Sequence, residues 1–177
     1  MSDTLSEYDS IIAICRDIYT KKFRDYGSAW RVLRTSSLTD QIFIKAKRIR
    51  SIEEKGTSKV NEGVISEYIG IANYAVMALI QLEKGASTDI ELPEEEAFAL
   101  YDNYFKAARD LMTNKNHDYD EAWREMRLSS ITDLILQKIL RIKQIENNQG
   151  KTEISEGLDA NFLDMINYAV FALIRLH

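Results

Sequence analysis

The chain has 177 residues, of which 45% are hydrophobic and 29% charged, a composition typical of a globular protein rather than a disordered one. Its net charge of −5 argues against sequence-independent nucleic-acid binding, which depends on a dominant basic surface. Cys15 is the single cysteine, so an intrachain disulfide and a cysteine zinc cluster are both excluded.

The chain contains one proline, Pro93, and seven glycines, and these counts predict helices almost throughout. The predicted helices cover residues 8–24, 38–55, 61 or 62 to 82, 94–114, 131–148 and 157–176. A short helical segment is expected to carry Trp30 and Leu33. Ser37 and Asp40 have the spacing of a capping box, with aspartate in place of the usual glutamate, which predicts that Asp40 caps the second helix.

The segment Asp25–Arg34 returns in the sequence as Asp118–Arg127. Residues 16–53 match residues 109–146 at 20 of 38 positions, and residues 62–82 match residues 156–176 at 10 of 21. This self-similarity indicates a tandem duplication. We predict an all-α bundle with a first repeat at 1–84, a linker at 85–93 and a second repeat at 94–177. The third helix of each repeat is apolar nearly all round, so the repeats should share one core about a pseudo-two-fold axis, as an intrachain dimer.

The second helix of each repeat keeps charged residues on the same face as its apolar ones. At about 100° per residue, the positions that match between the repeats fall within an arc of roughly 140°. They are Ile42, Lys45, Arg48, Ile49, Ile52 and Glu53. Charges turned toward a core are costly unless they are paired or bound. One interpretation is a salt-bridge network with Asp25, Asp40 or Glu62. The other is that Lys45 and Arg48 hold an anion while Glu53 holds a metal or a water.

The opening motif of each repeat is cationic and aromatic. Lys22, Arg31 and Arg34 recur as Lys115, Arg124 and Arg127. Guanidinium groups grip phosphate in a bidentate manner, and Tyr26 or Trp30 could stack on a base, although core packing is the alternative for the Tyr–Trp pair.

Two asparagines, Asn73 and Asn167, lie within apolar helices. We predict that they are buried amides bonded across the pseudo-two-fold axis. His117 and His177 are isolated and make no zinc spacing.

No membrane segment is predicted. The start of the chain lacks the basic and apolar regions of a signal peptide. The longest apolar runs, 69–82 and 162–176, fall short of the roughly 20 residues that a membrane span requires. We therefore expect a cytoplasmic protein, either monomeric with an internal pseudo-dimer or homo-oligomeric.

The pattern Lys22-x-x-Asp25-Tyr26-Gly27-x-x-Trp30, followed by Lys45-x-x-Arg48-Ile49 and Glu67…Asn73-Tyr74-Ala75, resembles the nucleotide modification associated domain 1 family, here as two copies. That family is similar in arrangement to the MazG and dimeric dUTPase type of all-α nucleoside triphosphate pyrophosphohydrolases. Those enzymes hold Mg²⁺ between acidic residues of adjacent helices, and the metal grips the triphosphate while an activated water attacks.

The resemblance implies a nucleotide or another phosphorylated small molecule as the partner, with Mg²⁺ as the cofactor. The implied metal ligands are Glu53, Glu67, Glu146 and Asp164, of which Glu53 and Glu146 are also the candidate catalytic residues. The implied substrate-binding residues are Lys22, Tyr26, Trp30, Arg34, Lys45 and Arg48, with Lys115, Tyr119, Trp123, Arg127, Lys138 and Arg141. Neither copy has a complete acidic set, so a non-catalytic nucleotide-binding module and a structural module with internal salt bridges remain as alternatives.

Overall fold

A computed structural model describes residues 2–56, 61–89 and 92–177. Within these residues the chain forms six α-helices and no strand. The helices are α1 (Ser2–Tyr26), α2 (Thr35–Lys55), α3 (Asn61–Lys84), α4 (Glu94–Tyr119), α5 (Leu128–Asn147) and α6 (Leu158–Leu176). Short 3-10 turns at Ala29–Val32 and Ala122–Glu125 precede α2 and α5. The predicted all-α class is confirmed, although α1, α2, α4 and α5 begin or end several residues beyond the predicted bounds.

The two repeats pack as predicted, with α3 and α6 together at the centre of the bundle and α2 against α5 beside them. Contacts between the repeats occur in symmetric pairs. Arg16 of α1 binds Asp102 of α4, and the equivalent Arg109 binds Asp9, at 2.8 and 2.7 Å. This reciprocity is what a pseudo-two-fold axis through the α3–α6 contact produces.

The buried asparagines bind across the same axis. Tyr101 Oη donates to Asn73 Oδ1 and Tyr8 Oη donates to Asn167 Oδ1, both at 2.6 Å. Each amide also donates to a backbone carbonyl of its own repeat, that of Cys15 or the equivalent helix position. The prediction for the asparagines is confirmed, with a tyrosine of the other repeat as the partner of each.

The turn that ends the first helix of each repeat depends on a left-handed residue. Gly27 has φ 62° and the equivalent Asp120 has φ 52°. A left-handed residue directly after the last helical residue is the usual way to end a helix, so α1 and α4 continue up to the preceding tyrosine. This explains why α4 extends five residues past its predicted end at 114.

The predicted capping box is wrong. Helix α2 begins at Thr35, with the extended Arg34 as its N-cap, so Ser37 lies inside the first turn and Asp40 inside the helix. The chain enters α2 directly from the 3-10 turn, and the amides of Ser37 and Leu38 bond the Arg34 carbonyl. Asp40 instead pairs with Lys143 of the other repeat at 3.4 Å.

One helix of the described residues, at Gly63–Lys84, has the length and mean hydropathy (1.5) of a membrane span, whereas the sequence predicts a run that is too short. Within its 18-residue apolar window, 56% is buried inside the bundle. A buried core helix has the same composition. The cytoplasmic location stays a prediction.

Candidate functional site

The first repeat contains an open cleft between α1, the 3-10 turn, α2 and α3. Two adjoining cavities of about 320 and 360 Å³ form it, and both are lined by Tyr19, Lys22, Tyr74 and Met77. We call their union the first cleft; its inner part is further lined by Lys45, Gly70 and Asn73, and its outer part by Tyr26, Gly27, Trp30 and Leu33. The inner part therefore has a second lysine, Lys45, and the outer part has two further aromatic rings, those of Tyr26 and Trp30.

The cations of the first cleft share a single carboxylate. Glu67 is buried, with Oε1 2.6 Å from Arg48 and Oε2 3.5 Å from Lys45. The Lys45 ammonium also lies 5.5 Å from the centre of the Tyr74 ring. Lys22 is exposed at the mouth of the cleft and forms no ion pair with any residue that the structure describes. The cluster of Lys22, Lys45, Arg48 and Glu67 thus carries an excess of positive charge.

The second repeat has an equivalent cleft that is smaller. It measures about 230 Å³ and is lined by Lys115, Tyr119, Trp123, Asp164, Tyr168 and Phe171, among others. Phe171 takes the place of Met77 and stacks face to face on Trp123, with ring centres 4.3 Å apart and planes 4° apart. Trp123 is buried, whereas its counterpart Trp30 is partly exposed. The aromatic half of the second cleft is therefore filled by the protein's own side chains.

Lys115, which lines the second cleft, and Lys138, which lines a neighbouring polar cavity of about 720 Å³, are also occupied. Asp164 stands where the first repeat has Gly70, and its two oxygens lie 2.7 Å from Lys115 and 2.9 Å from Lys138. Partial burial lowers the pKa of Lys115, but the hydrogen bond and charge of Asp164 outweigh this and the pKa is raised overall. Lys115 is thus held in its charged form by an internal partner.

Four of the repeated arginines lie away from the clefts. Arg31 is buried and holds the 3-10 turn to α3, because it donates to the Gln81 side chain and the Gly85 carbonyl. Arg34 and Arg127 are exposed at the starts of α2 and α5 and do not line the cavities found among the described residues. Arg141 is exposed beside Lys138, on the rim of a separate polar cavity of about 720 Å³.

Glu53 and Glu146 lie at the α2–α5 contact rather than in the clefts. Glu53 accepts a hydrogen bond of 3.1 Å from Thr132, which also contacts the Tyr68 hydroxyl. Burial is the main cause of the raised pKa values of Glu53 and Glu146. The nearby Asp133 carboxylate raises the pKa of Glu53 further, and the Asp40 carboxylate raises that of Glu146. The structure thus separates Glu53 from Lys45 and Arg48, with which the sequence grouped it.

The described carboxylates do not by themselves form a magnesium site. Both oxygens of Glu67 and both of Asp164 are engaged by cations, and these two residues belong to different clefts. No group of three or more histidine, cysteine or acidic side chains lies close enough to share a metal ion in the part of the chain that the structure describes. A Mg²⁺ ion prefers several oxygen ligands, and here the neighbours of the acids are ammonium and guanidinium groups instead.

Three positions distinguish the clefts, and sequence reasoning assigned a role at only one of them, where it took Asp164 for a metal ligand rather than the partner of two lysines. The three positions are the pairs Gly70/Asp164, Met77/Phe171 and Tyr19/Met112, all of which are mismatches between the repeats. Tyr19 lines both parts of the first cleft, and its buried hydroxyl has no hydrogen-bond partner among the described residues. Burial raises its pKa, so the hydroxyl keeps its proton. The signal for all three lay in the residues where the repeats differ, whereas the sequence argument used those where they agree.

Comparison with known families gives one result. The model of the family described as nucleotide modification associated domain 1 matches residues 22–82 and matches again at residues 115–176. These two regions contain the lysines, the tryptophans and the central helix of each cleft. Neither the curated proteins nor the solved structures yield a match.

Proposed function

The chain belongs to the nucleotide modification associated domain 1 family, and on this premise we propose that it binds a nucleotide in the first cleft. The phosphate groups lie against Lys22 and Lys45, and the base lies against Trp30 and Tyr26. The observation that carries the proposal is the open first cleft, in which a lysine without an ion-pair partner among the described residues stands beside partly exposed aromatic rings.

The charge of the cleft supports the phosphate position. Lys22, Lys45 and Arg48 contribute three positive charges, and Glu67 alone contributes a negative one, in a protein whose net charge is −5. Ammonium groups at a partly enclosed site bind phosphate through charge-assisted hydrogen bonds that are stronger than neutral ones. Arg48 reaches the cleft only through Glu67, so its role is to hold that carboxylate and with it Lys45.

The shape of the cleft supports the base position. Its two cavities of about 320 and 360 Å³ lie at the lower end of the range for small-molecule pockets. Trp30, Tyr26 and Tyr74 supply flat apolar surfaces, on which any of the bases could stack. Stacking of this kind is tolerant of base identity, so we expect the phosphate groups to contribute most of the affinity.

Hydrolysis of a bound triphosphate is the second candidate, and the raised pKa values of Glu53 and Glu146 favour it, because a carboxyl group with a raised pKa is a better general base. Mg²⁺ would have to arrive with the triphosphate, which can supply most of its oxygen ligands. Both carboxylates lie at the α2–α5 contact, away from the first cleft, so we rank binding ahead of hydrolysis.

Isothermal titration calorimetry with the four ribonucleoside and four deoxyribonucleoside triphosphates, with and without Mg²⁺, tests the proposal. We expect at least one to bind, and the Lys22→Ala change to weaken its binding at least tenfold. The matched variant Lys115→Ala should leave the affinity unchanged, because Lys115 is already engaged by Asp164.

Absence of binding by every member of the panel would overturn the proposal and leave the structural module, whose charged side chains only stabilise the fold. Pyrophosphate release in the same mixtures separates the two candidates. Release that depends on Mg²⁺ and is lost in Glu53→Gln would establish hydrolysis, whereas binding without release would establish a non-catalytic module.

A further inference from the structure

The second cleft contains an anion of its own. The Asp164 carboxylate lies between two lysines of different helices, with one oxygen 2.7 Å from Lys115 Nζ and the other 2.9 Å from Lys138 Nζ. Asp164 is 6% exposed and the Lys138 side chain is 11% exposed, whereas the Lys115 side chain is 49% exposed, so the carboxylate is enclosed on the Lys138 side and reaches solvent past Lys115. The two lysine ammonium groups thus bind the two oxygens of a single planar carboxylate.

The first cleft has the same two lysines without a carboxylate that joins them, because Glu67 lies 3.5 Å from Lys45 and also binds Arg48, and Lys22 has no ion-pair partner among the described residues. Lys22 and Lys45 are the counterparts of Lys115 and Lys138, and both line the cavity of about 320 Å³. The counterpart of Asp164 is Gly70, which has no side chain. The space above Gly70 is used by Lys45, since a Cβ at that position would lie 2.7 Å from Lys45 Cε and 3.1 Å from Lys45 Nζ.

We infer that Asp164 is a built-in substitute for the anion of the ligand, that a phosphoryl group of the ligand occupies the corresponding place between Lys22 and Lys45, and that each chain therefore binds one nucleotide. This inference rests on the proposed function and adds the position of the phosphate and the stoichiometry. A phosphoryl group fits the position because, like a carboxylate, it presents two oxygens on one atom, one for each lysine.

The aromatic half of the second cleft leads to the same conclusion. Phe171 covers the face of Trp123 that the smaller, flexible Met77 leaves available on Trp30 in the first cleft. A base that entered the second cleft would have to displace a stacked ring, and its phosphate would have to displace a carboxylate held by two cations. In the first cleft no ring stacks on Trp30 among the described residues, Lys22 has no ion-pair partner among them, and Lys45 is paired only with Glu67, at the longer distance of 3.5 Å.

Reciprocal substitutions at the two equivalent positions test the inference. Gly70→Asp places a carboxylate in the first cleft, and Gly70→Asn places a neutral side chain of the same size there. The added Cβ meets only the far end of the flexible Lys45, which can move aside. We expect Gly70→Asp to lower the affinity for the best-binding nucleoside triphosphate at least tenfold, and Gly70→Asn to lower it about threefold or less.

The same pair gives a readout that needs no ligand. If the added carboxylate bridges Lys22 and Lys45, Gly70→Asp should have a higher Tm than Gly70→Asn, and the difference should shrink at high salt because ion pairs are screened. Equal Tm values together with equal affinities in the two variants would overturn the inference.

The reverse change, Asp164→Gly with Phe171→Met, removes from the second cleft the carboxylate and the ring that fill it. Calorimetry should show one nucleotide bound per wild-type chain and two per chain of the double variant. Two per wild-type chain would overturn the inference while leaving the proposed function intact, whereas a wild-type chain that binds no triphosphate would remove both. If the double variant does not fold, the comparison of Gly70→Asp with Gly70→Asn decides the question.

Discussion

The two repeats share one frame and differ in what fills their clefts. Each has a lysine on its first helix, a lysine on its second and a tryptophan on its 3-10 turn. In the first repeat, two cavities lie beside these residues and the tryptophan is partly exposed. In the second repeat, Asp164 pairs with both lysines and Phe171 stacks on the tryptophan. The difference teaches that a pair of lysines present in both repeats can be neutralised by a side chain of the protein or can stay available to a ligand.

The helical framework is symmetric, so the substitutions with the largest expected effect on stability should have equal effects in the two repeats. Asn73→Ala and Asn167→Ala each leave a buried tyrosine hydroxyl without its acceptor and remove a second hydrogen bond to a helix carbonyl, that of Cys15 or Ala108. We expect each to lower the free energy of unfolding by about 3 kcal/mol, measured by urea denaturation. The exposed Asn103→Ala serves as the control and should cost less than about 0.5 kcal/mol. A difference of more than about 1 kcal/mol between the two variants would contradict the symmetric frame.

The acids of the two clefts should differ in their importance for stability. Asp164→Ala leaves the largely buried Lys138 without its partner, and we expect a loss of about 2 kcal/mol. Glu67→Ala should cost about 1 kcal/mol, because Arg48 is half exposed and can turn to solvent. Urea denaturation of both variants, with the exposed Asp110→Ala as control, measures the difference. A larger loss for Glu67→Ala would contradict the contrast between a filled and an open cleft.

The stacked ring of the second cleft should be transferable to the first. Met77→Phe should place a ring against Trp30 and raise stability by about 1 kcal/mol, whereas Phe171→Met should lower it by a similar amount. Thermal denaturation gives both values, and calorimetry should show that Met77→Phe also weakens nucleotide binding. If Met77→Phe binds as well as the wild type, the base does not lie against Trp30.

The smallest effect concerns the two glutamates at the α2–α5 contact, and here the repeats should again agree. The pKa values of Glu53 and Glu146 are raised above the ordinary 4.5, so the folded state binds protons more tightly than the unfolded state. Their contribution to stability is complete below pH 4.5 and is lost as the pH rises through the raised values. Glu53→Gln and Glu146→Gln should therefore stabilise the protein more at pH 7 than at pH 4, by less than about 1 kcal/mol after solvent screening.

Denaturation at the two pH values checks this. Glu54→Gln, on the next and exposed position of the same helix, controls for the general loss of an acidic charge. A gain in the Glu53 variant alone would show that the two ends of the α2–α5 contact are not equivalent.

The sequence was sufficient for the helices, the duplication and the crossing of Asn73 and Asn167, because these depend on periodicity and on matches between repeats. It was sufficient to place Lys45 on a partly buried face, whereas Arg48 is 54% exposed and only its bond to Glu67 turns it inward. It was not sufficient to identify their partner, since Glu67 belongs to another helix and periodicity does not fix how one helix is aligned along its neighbour. The predicted partner Asp40 instead binds Lys143 across the repeat contact.

The start of α2 was mispredicted for a related reason. A capping box is a local pattern, but the preceding 3-10 turn determines where the chain enters the helix, and the α3 side chain Gln81 holds that turn by donating to the Arg31 and Leu33 carbonyls. The role of Asp164 also depends on distant residues. Its place in the sequence opposite Gly70 was visible, but only the fold brings Lys115 and Lys138 to its two oxygens.

The crossed tyrosine–asparagine bonds have a consequence for the genetics of this architecture. Because Tyr8 and Tyr101 are equivalent, and Asn73 and Asn167 are equivalent, each half-gene encodes both the donor and the acceptor of the bond that joins it to the other half. Two separately encoded halves would thus each contribute one tyrosine and one asparagine to the contact between them. Co-expression of two fragments divided within residues 85–93 should therefore reconstitute the bundle. The covalent connection then serves mainly to ensure that a repeat with an open cleft always packs against a repeat with a filled cleft.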